Sequence, residues 1–459
     1  MNIYLDEHFK NIVGKKVFFL GAGLSHSQLI VKYATNGAIV TLCDIRTIDK
    51  LSSYIEPFRD LDINYCLGED YLSCLCDANI IFRTPGIDYT KKEIADAVEK
   101  GITVTSEIEM FFEYCPCPII GITGSDGKTT TSSLIAAVLE KEGYTVWLGG
   151  NIGRPLFPLV EEIKENDIAV VELSSFQLIS MKKSPHISLI TNITPNHLDH
   201  HKDMKEYIDA KRNILLHQKE NDIAVLNMDN DITRELAGDV KGLLRFFSRS
   251  EVENGSFIKD NVLYSSLDGA KHPVMILDSL IIRGEHNKEN VAAAYAVVSS
   301  LVKDSTFIEV ANSFPGVEHR IEFVRELNGV KWYNDSIATS PTRTIAGLRS
   351  FDRKIILIAG GSDKGLSYEP LAEDLKERVK CVFLSGPTGS AIAEVIKNNG
   401  SNTEIYFTVN VSESVKKAYS YSTNGDIVML SPASPSFDSY SGFEARGKHF
   451  KQLVNELKP

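Results

Sequence analysis

The chain has 459 residues, of which 43% are hydrophobic and 24% are charged, so it has enough apolar material for several folded domains and is not a disordered protein. Its 49 basic and 61 acidic residues give a formal net charge of −12, which excludes the basic footprint of a general nucleic-acid or anionic-membrane binder. A phosphorylated small molecule is compatible with that charge, because a local nest of backbone amides and one lysine can bind a phosphate.

The N-terminal residues lack the basic and apolar regions of a signal peptide, and no apolar run approaches the roughly 18 residues that cross a bilayer. We therefore expect a cytoplasmic protein without a membrane span. The seven cysteines do not follow the spacing of a zinc site. We interpret them as reduced thiols that cluster by chance in the first quarter of the chain.

Short apolar runs bounded by Gly, Asp or Ser alternate with helical segments three times along the chain, which is typical of parallel strands buried under helices. We place the boundaries between the three blocks at Cys115–Pro118 and Asn312–Gly316. The fold class is thus α/β, with three consecutive domains at 1–114, 115–313 and 314–459, the first and last Rossmann-like. The predicted strands are 17–20, 39–43, 79–82, 118–122, 168–172, 187–191, 223–227, 354–359, 381–385 and 426–430.

The first strand-to-helix loop, Gly21-Ala-Gly-Leu-Ser-His26, is similar to a dinucleotide-binding turn, and Asp44 ends the next predicted strand. His26 stands where the dinucleotide fingerprint needs a third glycine, so NAD binding is the weaker interpretation. A helix N-terminus still follows the loop, and it favours an anion. We predict a nucleotide diphosphate without nicotinamide, with Asp44 or Arg46 near its sugar or base.

Residues 121–131, Gly-Ile-Thr-Gly-Ser-Asp-Gly-Lys-Thr-Thr-Thr, follow a predicted strand and lead into a helix that we expect to end at Gly143. They match a shortened P-loop, since Ile122 stands where the strict pattern has glycine. Lys128 can reach the terminal phosphates of a nucleotide, and the Thr129 hydroxyl can join a Mg²⁺ shell. The alternative is an ordinary glycine-rich turn. The central domain is therefore predicted to be P-loop ATPase-like, with a mainly parallel sheet.

Lys211 lies within the apolar face of a predicted helix, between Tyr207 and Leu215. One interpretation is that the lysine snorkels to water from the edge of that face. The other is that partial burial lowers its pKa, so that the neutral amine adds CO₂ and becomes a carbamate, an anionic metal ligand. Sequence chemistry alone leaves both interpretations open.

Two further features are candidate metal ligands. Glu172 ends a predicted strand, and a carboxylate beside a P-loop can bind Mg²⁺. The run His197, His200 and His201 invites a zinc interpretation, but its spacing fits no standard zinc motif.

Seven motifs spread over the three predicted domains are 123–131 (TGSDGKTTT), Gly150–Gly153, 172–178 (ELSSFQL), 192–199 (NITPNHLD), 284–287 (GEHN), His319-Arg320 and Asn334–Ser336. Together they resemble the Mur ligases of bacterial cell-wall synthesis. Within that family, the runs 172–178, 430–438 and 443–447 are similar to the branch that adds D-glutamate. Two residues depart from the pattern: His26 replaces a glycine common in the first loop, and Ile337 stands where many relatives carry lysine.

The resemblance implies an ATP-dependent ligase that adds D-glutamate to UDP-N-acetylmuramoyl-L-alanine through an acyl phosphate, in peptidoglycan precursor synthesis. It assigns the UDP-linked substrate to the first domain, ATP to the second and the amino acid to the third. It also implies two Mg²⁺ sites and a carbamylated Lys211. We expect a monomer that acts on small molecules, with no nucleic-acid partner.

The residue assignments implied by the resemblance fall into five groups. Catalysis is assigned to Lys128, His197 and Lys211. Metal binding is assigned to Thr129, Glu172, His197 and Lys211. ATP is assigned to Gly124, Ser125, Asp126, Gly127, Lys128, Thr129, Thr130, Asn287, Arg320 and Asp335. The UDP-linked substrate is assigned to Gly23, Leu24, Ser25, Asp44, Arg46, Thr84, Pro85, Gly86, Asn151 and His197, and D-glutamate to Lys364, Ser436 and Phe443.

Three alternatives compete with this function. A ligase of the same superfamily would add another amino acid or extend folate with glutamate, and the Ser-Pro-Ala-Ser-Pro-Ser-Phe-Asp run at 431–438 argues against it. A P-loop kinase or NTPase would need no third domain with its own loops. A non-catalytic nucleotide sensor is disfavoured because Lys128, Glu172 and Lys211 are all intact.

Overall fold

The computed structural model describes residues 3–196 and 200–458. Its first sheet has five parallel strands in the order β3-β2-β1-β4-β5. Side chains alternate along β1, so that Phe19 enters one buried cluster and Phe18 another on the opposite face. The elements are α1 Ile3–Asn11, β1 Lys16–Leu20, α2 Leu24–Thr35, β2 Ile39–Asp44, α3 Ile48–Ile55, β3 Ile63–Leu67, β4 Ile80–Arg83, α4 Lys92–Glu99, β5 Thr103–Thr105 and α5 Glu107–Tyr114.

The second sheet has nine strands in the order β14-β13-β12-β11-β10-β9-β6-β8-β7. The neighbouring strands β12, β11, β10, β9, β6, β8 and β7 run parallel. Strands β13 and β14 extend the sheet antiparallel at one end. Its strands are β6 Ile119–Thr123, β7 Val146–Gly150, β8 Ile168–Glu172, β9 Ile187–Ile190, β10 Ile223–Asn227, β11 Leu243–Ser248, β12 Gly255–Lys259, β13 Val262–Ser265 and β14 His272–Ile276. Its helices are α6 Lys128–Glu142, α7 Ser175–Leu178, α8 Met204–Leu216, α9 Asp231–Glu235, α10 Glu285–Val298 and α11 Asp304–Ser313.

The third sheet has six strands in the order β15-β16-β20-β17-β18-β19, of which only β15 runs antiparallel to its neighbour. Its strands are β15 Glu322–Leu327, β16 Val330–Asn334, β17 Ile355–Ala359, β18 Val379–Leu384, β19 Glu404–Phe407 and β20 Ile427–Leu430. Its helices are α12 Pro341–Arg349, α13 Ala372–Arg378, α14 Gly389–Asn398, α15 Val411–Tyr421 and α16 Phe443–Glu456. The carboxyl ends of β16, β20 and β17 are adjacent, so the loops after them open at one edge.

The ten predicted strands are all present, with ends that differ by at most two residues. The α/β class with three mainly parallel sheets in series is therefore confirmed. The helix after the P-loop ends where expected, at Gly143 with φ +113°. Weaker strands, among them β13, β14 and β19, are not predicted from the sequence, and their residues are less buried than those of the central strands.

The chain separates into two compact units. The first comprises Met1–Leu277 and Glu289–Val310 and contains the first two sheets; the second comprises Asp278–Lys288 and Ala311–Pro459 and contains the third. Within the first unit, the buried Arg83 guanidinium from the first sheet donates to the Phe176 carbonyl from the second. The three-domain boundaries stay a prediction. Within the described ranges, no helix is long and apolar enough to cross a membrane.

Candidate active site

Two glycines determine the shape of the loop between β6 and α6. Gly124 has φ +148°, and a Cβ there would lie 1.9 Å from Thr191 Oγ1. Gly127 has φ +81° and caps α6, and its Cβ would lie 2.3 Å from Asn290 Oδ1. Neither position accepts a side chain without displacing its neighbour. The backbone of this loop is closely packed and runs directly into the N-terminus of a 15-residue helix. A loop of this kind before a helix N-terminus is an arrangement that binds phosphate.

The neighbouring strand end holds this loop in place. Thr191 Oγ1, just after β9, donates a hydrogen bond of 2.6 Å to the Asp126 carbonyl. Asn192 Oδ1 accepts from the Asp126 amide at 2.9 Å, and the Asn192 carbonyl accepts from the Ser125 amide at 2.8 Å. Because β9 pairs with β6, these hydrogen bonds tie the loop to the sheet.

The first turn of α6 carries the side chains predicted for ATP. Lys128 Nζ lies 2.9 Å from the carbonyl oxygens of both Gly124 and Ser125, so the ammonium group lies over the loop that it follows. Thr129 is half-buried and Thr130 is buried. Lys128 is thus held where its ammonium group can contact the negative charge of a phosphate bound by the loop.

Lys211 on α8 reaches the same loop from below the surface. Its side chain is 2% exposed, and Nζ donates to the Gly124 carbonyl at 2.8 Å and to Thr123 Oγ1 at 3.2 Å. Burial and the nearby Lys128 charge lower the pKa of Lys211 to about 7, against the opposing charge of Glu172. The snorkelling interpretation is wrong, because this amine does not reach water. A neutral amine, the form that adds CO₂, is accessible near neutral pH.

Tyr207 lies one turn before Lys211 and belongs to the same site. Its hydroxyl is 2.9 Å from Ser125 Oγ, and its ring centre is 4.8 Å from Lys211 Nζ. From the sequence, Tyr207 is predicted only as part of an apolar helix face. A tyrosine at that spacing from a candidate lysine was a signal, because a buried phenol needs a polar partner.

Glu172 at the end of β8 is a second buried charge beside the loop. It is 1% exposed, and its Oε1 accepts from Asn151 Nδ2 at 2.8 Å. Its Oε2 is buried without a hydrogen-bond partner among the described residues. A buried carboxylate oxygen that lacks a partner is costly, and an oxygen ligand of this kind suits Mg²⁺. Glu172 is therefore a fitting ligand for the predicted metal site.

His197 lies outside the described residues. Four positions later, the buried His201 places Nε2 2.8 Å from Ser175 Oγ and Nδ1 3.2 Å from Glu206 Oε2. The ring stacks on Phe176, with centroids 4.9 Å apart. The sequence analysis considered His201 only for zinc; its role here is to connect the ELSSFQL run to the start of α8.

In the first domain, Asp44 and Arg46 form a fixed pair. The Asp44 carboxylate accepts from the Ala22 amide at 2.8 Å and from Arg46 Nε at 2.9 Å and Nη2 at 2.7 Å. The Arg46 guanidinium lies over the Tyr54 ring, 4.7 Å from its centre. Hydrogen bonds from Arg46 and the Ala22 amide outweigh burial and lower the pKa of Asp44. The carboxylate thus ties the strand end to the turn before α2.

The turn before α2 carries the departure at His26. The ring is fully buried between Phe19 and Phe82, and Nδ1 donates to the Gly21 carbonyl at 2.9 Å. Burial lowers the pKa of His26 to about 4, so the imidazole is neutral near pH 7. The histidine therefore fills the space beside the strand that a glycine would leave open, without removing the N-terminus of α2.

The remaining first-domain residues surround that turn. Gly23 caps α2, whose first residues are Leu24 and Ser25. Thr84 follows β4, and a Cβ at Gly21 would lie 3.0 Å from its Oγ1. Pro85 and Gly86 continue the same loop at the surface. The first-domain residues predicted for the UDP-linked substrate therefore meet at the carboxyl ends of β1, β2 and β4, and Asn151 directly follows β7 of the second sheet.

In the second unit, Asp335 follows β16 and is buried. Its Oδ2 accepts from Ser431 Oγ at 2.7 Å and its Oδ1 from the Ile321 amide at 3.2 Å. Burial raises the pKa of Asp335 to about 7, while Arg320 and Arg343 act in the opposite direction. Asn287 lies in a different segment, the first turn of α10, where its Nδ2 donates to the Arg283 carbonyl.

Arg446, a residue with no role predicted from the sequence, organises the loop after β20. The buried Arg446 guanidinium donates to the carbonyl oxygens of Ser336, Ser434 and Pro435 at 3.0 to 3.1 Å and to Ser336 Oγ at 3.0 Å. Ser436 in this loop is buried, Phe443 is half-buried, and Lys364 is exposed on the loop after β17. Arg446 was recognisable only as a charged residue inside the quoted run 443–447.

Comparisons with known proteins identify two family domains in the chain. Residues 122–298 match the Mur ligase middle domain, and residues 319–434 match the glutamate ligase domain of Mur ligases. The chain belongs to the Mur ligase family. A protein of Acetivibrio thermocellus is 49% identical over the full length of both chains, and one of Clostridium novyi is 45% identical over 98% of each. Both are named UDP-N-acetylmuramoylalanine–D-glutamate ligase.

Solved structures of the family share the fold. The UDP-N-acetylmuramate-alanine ligase MurC of Thermotoga maritima has a TM-score of 0.57 at 19% identity and covers 97% of this chain and 100% of its own. A pseudomurein peptide ligase type C of Methanothermus fervidus has a TM-score of 0.54 at 21% identity, with the same coverage. At these identities the likeness concerns the fold alone.

Proposed function

We infer that the chain is an ATP-dependent ligase that joins D-glutamate to UDP-N-acetylmuramoyl-L-alanine, with release of ADP and phosphate, in peptidoglycan synthesis. The observation that carries this function is the full-length identity of 44–49% to relatives of that name. The P-loop with buried Lys211 and Glu172 beside it supports the ATP-dependent step. We further propose that the protein acts as a monomer in the cytoplasm, where ATP and UDP-linked precursors are available.

The reaction needs ATP because amide formation from a carboxylate and an amine is uphill in water. The substrate carboxylate attacks the γ-phosphorus of ATP, and ADP leaves. The amine of D-glutamate then attacks the acyl phosphate, and phosphate leaves from a tetrahedral intermediate. Phosphoryl transfer of this kind depends on alignment and charge stabilisation more than on covalent help from the protein.

The chain's own residues supply that alignment. The amides of the 124–127 loop would bind the phosphates, Lys128 would neutralise the charge of the transferring group, and Thr191 and Asn192 keep the loop in shape. We assign Asn287, Arg320 and Asp335 to the rest of ATP, with Ser125, Asp126 and Thr130 in the phosphate-binding turn.

We propose that two Mg²⁺ ions complete the site. Thr129 and Glu172 would hold one ion, for which the buried Oε2 of Glu172 is a fitting ligand. His197 and Lys211, the latter as a carbamate, would hold the second. The ions would supply positive charge to the phosphates. Within the protein, the lowered pKa of Lys211 favours the neutral amine that carbamylation requires.

We assign the UDP-linked substrate to the turn before α2. Gly23, Leu24 and Ser25 would present the helix N-terminus to the diphosphate. Asp44, Arg46 and the 84–86 loop would contact the sugar or base. Asn151 would act on this substrate through its backbone or through the carboxylate that it orients, because its amide group is bonded to Glu172.

The decisive experiment follows phosphate release with defined substrates. We expect release to require ATP, D-glutamate and UDP-N-acetylmuramoyl-L-alanine together. Replacement of D-glutamate by L-glutamate, L-lysine or meso-diaminopimelate should abolish it, and folylglutamate acceptors should not replace the UDP substrate. Equal release from ATP and protein alone would identify an NTPase and overturn the ligase function.

D-glutamate selection is a separate proposal on the third sheet. Lys364 would pair with the side-chain carboxylate, Ser436 would donate to it, and Phe443 would cover its apolar part. Lys364→Ala should raise the KM for D-glutamate severalfold or more and leave ATP binding unchanged. The control is Lys354→Ala, which removes an exposed lysine from the opposite end of β17. Loss of ATP affinity with an unchanged KM for D-glutamate would contradict the assignment.

A further inference from the structure

Three cysteines, one from β2, one from β3 and one from the segment after β3, meet on one face of the first sheet. Cys43 and Cys66 are direct partners in the parallel pair β2 and β3, so their side chains lie on the same face. Cys74 comes from the segment that follows β3 and folds back over that face. The three Sγ atoms all lie within 4.8 Å of one another, and those of Cys43 and Cys74 are 3.6 Å apart.

These distances are close to those of a thiolate metal site. Zinc–sulfur bonds of about 2.3 Å in tetrahedral geometry put sulfur atoms about 3.8 Å apart. The cluster therefore needs only small side-chain rotations to bind one ion. Packing alone brings cysteines together in pairs as well, as Cys115 and Cys117 show with a sulfur separation of 3.5 Å. What distinguishes the first cluster is the third thiol.

The surroundings of the cluster suit an ion that is held by the protein on one side and by water on the other. Cys43 is fully buried beside apolar residues such as Leu20 and Ile81, whereas Cys66 and Cys74 are half-buried. An apolar shell limits solvent access to a metal, and the half-buried side leaves a path for entry. Thiolates select soft ions such as Zn²⁺ over Mg²⁺.

We propose that Cys43, Cys66 and Cys74 form a binding site for one thiophilic metal ion of the Zn²⁺ type, with water as the fourth ligand. On binding, each thiol loses its proton to solvent as its S–Zn bond forms, so three protons are released per ion. The ion would connect β2, β3 and the following segment. This site is separate from the Mg²⁺ ligands proposed beside the P-loop.

The test is a titration of the full-length, reduced protein with Co²⁺ and Zn²⁺ in the presence of excess Mg²⁺. We expect one Co²⁺ per chain with a sulfur-to-cobalt charge-transfer band that Zn²⁺ removes. Changes to residues around a metal site usually cost about 10–100-fold in affinity, so loss of a direct ligand in Cys74→Ser should weaken Zn²⁺ binding by at least about 100-fold. Cys115→Ser is the matched control and should bind as the wild type does.

Two outcomes would overturn the proposal: the absence of a charge-transfer band at saturating Co²⁺, or Zn²⁺ affinity in Cys74→Ser equal to that of the wild type. Circular dichroism checks that the variant is folded, and Cys66→Ser provides a second variant in β3. If both variants fail to fold, X-ray absorption of the zinc-loaded wild type decides. Three sulfur ligands support the site, and a shell of oxygen and nitrogen alone refutes it.

Discussion

Lys211 illustrates how burial changes what a side chain can do. The fold places this amine against the Gly124 carbonyl and near the Lys128 ammonium, and both burial and the like charge disfavour the protonated form. An ordinary surface lysine would stay protonated near pH 7 and would not react with CO₂. The same position thus provides either a cation or, after carbamylation, an anion.

Lys211→Arg distinguishes those two roles. Arginine retains the positive charge but does not form a carbamate, so we expect kcat to fall by about 10²–10³, as when a group that stabilises a transition state is removed. Lys211→Ala should recover part of its activity in added formate or acetate. Lys205→Arg, on the exposed face of the same helix, is the control and should be neutral. A nearly wild-type Lys211→Arg would refute the carbamate.

His26 predicts a specific pH dependence of stability. Its pKa falls from 6.5 to about 4 on folding, so the unfolded chain binds a proton that the folded chain does not. The contribution of His26 to the free energy of unfolding is fully present above about pH 6.5. It decreases by up to about 3 kcal/mol as the pH falls towards 4.

We expect His26→Asn to lower stability at pH 7 but to remove this acid-side decrease, as measured by urea unfolding between pH 4 and pH 7. His217→Asn, at an exposed position, should keep the wild-type slope. If His26→Asn and the wild type lose stability in parallel as the pH falls, the buried neutral histidine is not the cause.

At the residue scale, the groups that stand within a recognisable local pattern were predictable from the sequence. Lys128, Glu172 and Lys211 follow strands or lie on a helix face, and the fold brings all three to one loop. Arg446 was given no role, and Cys43, Cys66 and Cys74 were interpreted as thiols that cluster by chance, because contacts between separate elements are not visible in the sequence. Neither the carbonyl groups around a buried guanidinium nor a cross-strand pair such as Cys43 and Cys66 leaves a short-range signal.

Among the elements, the 124–127 loop has a strict requirement for glycine. In Gly127→Ala, the alanine must adopt the left-handed φ of the glycine, and its Cβ contacts Asn290. In Gly143→Ala, at the other end of α6, the alanine has the same left-handed strain, but no atom lies within 4 Å of its Cβ. Both variants should lose roughly 1 kcal/mol of stability from backbone strain. Only Gly127→Ala should lose ATP affinity, as measured by calorimetric titration. Equal ATP affinity in the two variants would contradict a phosphate-binding role.

Strands were predictable to the extent that they are buried on both faces. β8 and β17 are continuous apolar runs with every residue buried, and both were found. β13 and β14 alternate or expose their residues at the sheet edge, so their composition resembles that of the surrounding loops. The antiparallel end of the second sheet therefore could not be inferred from apolar runs, although the order of the three sheets could.

At the scale of the whole molecule, the two compact units contain one tryptophan each. Trp147 lies in β7 of the first unit, and Trp332 lies fully buried in β16 of the second. The chain has two tryptophans in total, so single substitutions leave one reporter per unit. Separate apolar cores in the units suggest separate unfolding transitions.

Thermal unfolding followed by tryptophan fluorescence tests this expectation. UDP at about 100 times its Kd should stabilise the unit that binds it by about 2.7 kcal/mol. In Trp332→Phe, the Trp147 signal should therefore shift to higher temperature with UDP. In Trp147→Phe, the Trp332 signal should not shift. Equal shifts for the two reporters would show that the units unfold as one.

The hydrogen bonds of Arg446 also fix the direction of an amide group. The guanidinium donates to the Pro435 carbonyl, and the Ser362 amide donates to the same oxygen. Peptide bonds in the described chain are trans, so the N–H of Ser436, in the same peptide plane, points the opposite way. A charged residue inside the protein thereby fixes the direction of a neutral dipole. Anion recognition in the loop after β20 would then depend on the orientation of a peptide plane as much as on any side chain that touches the ligand.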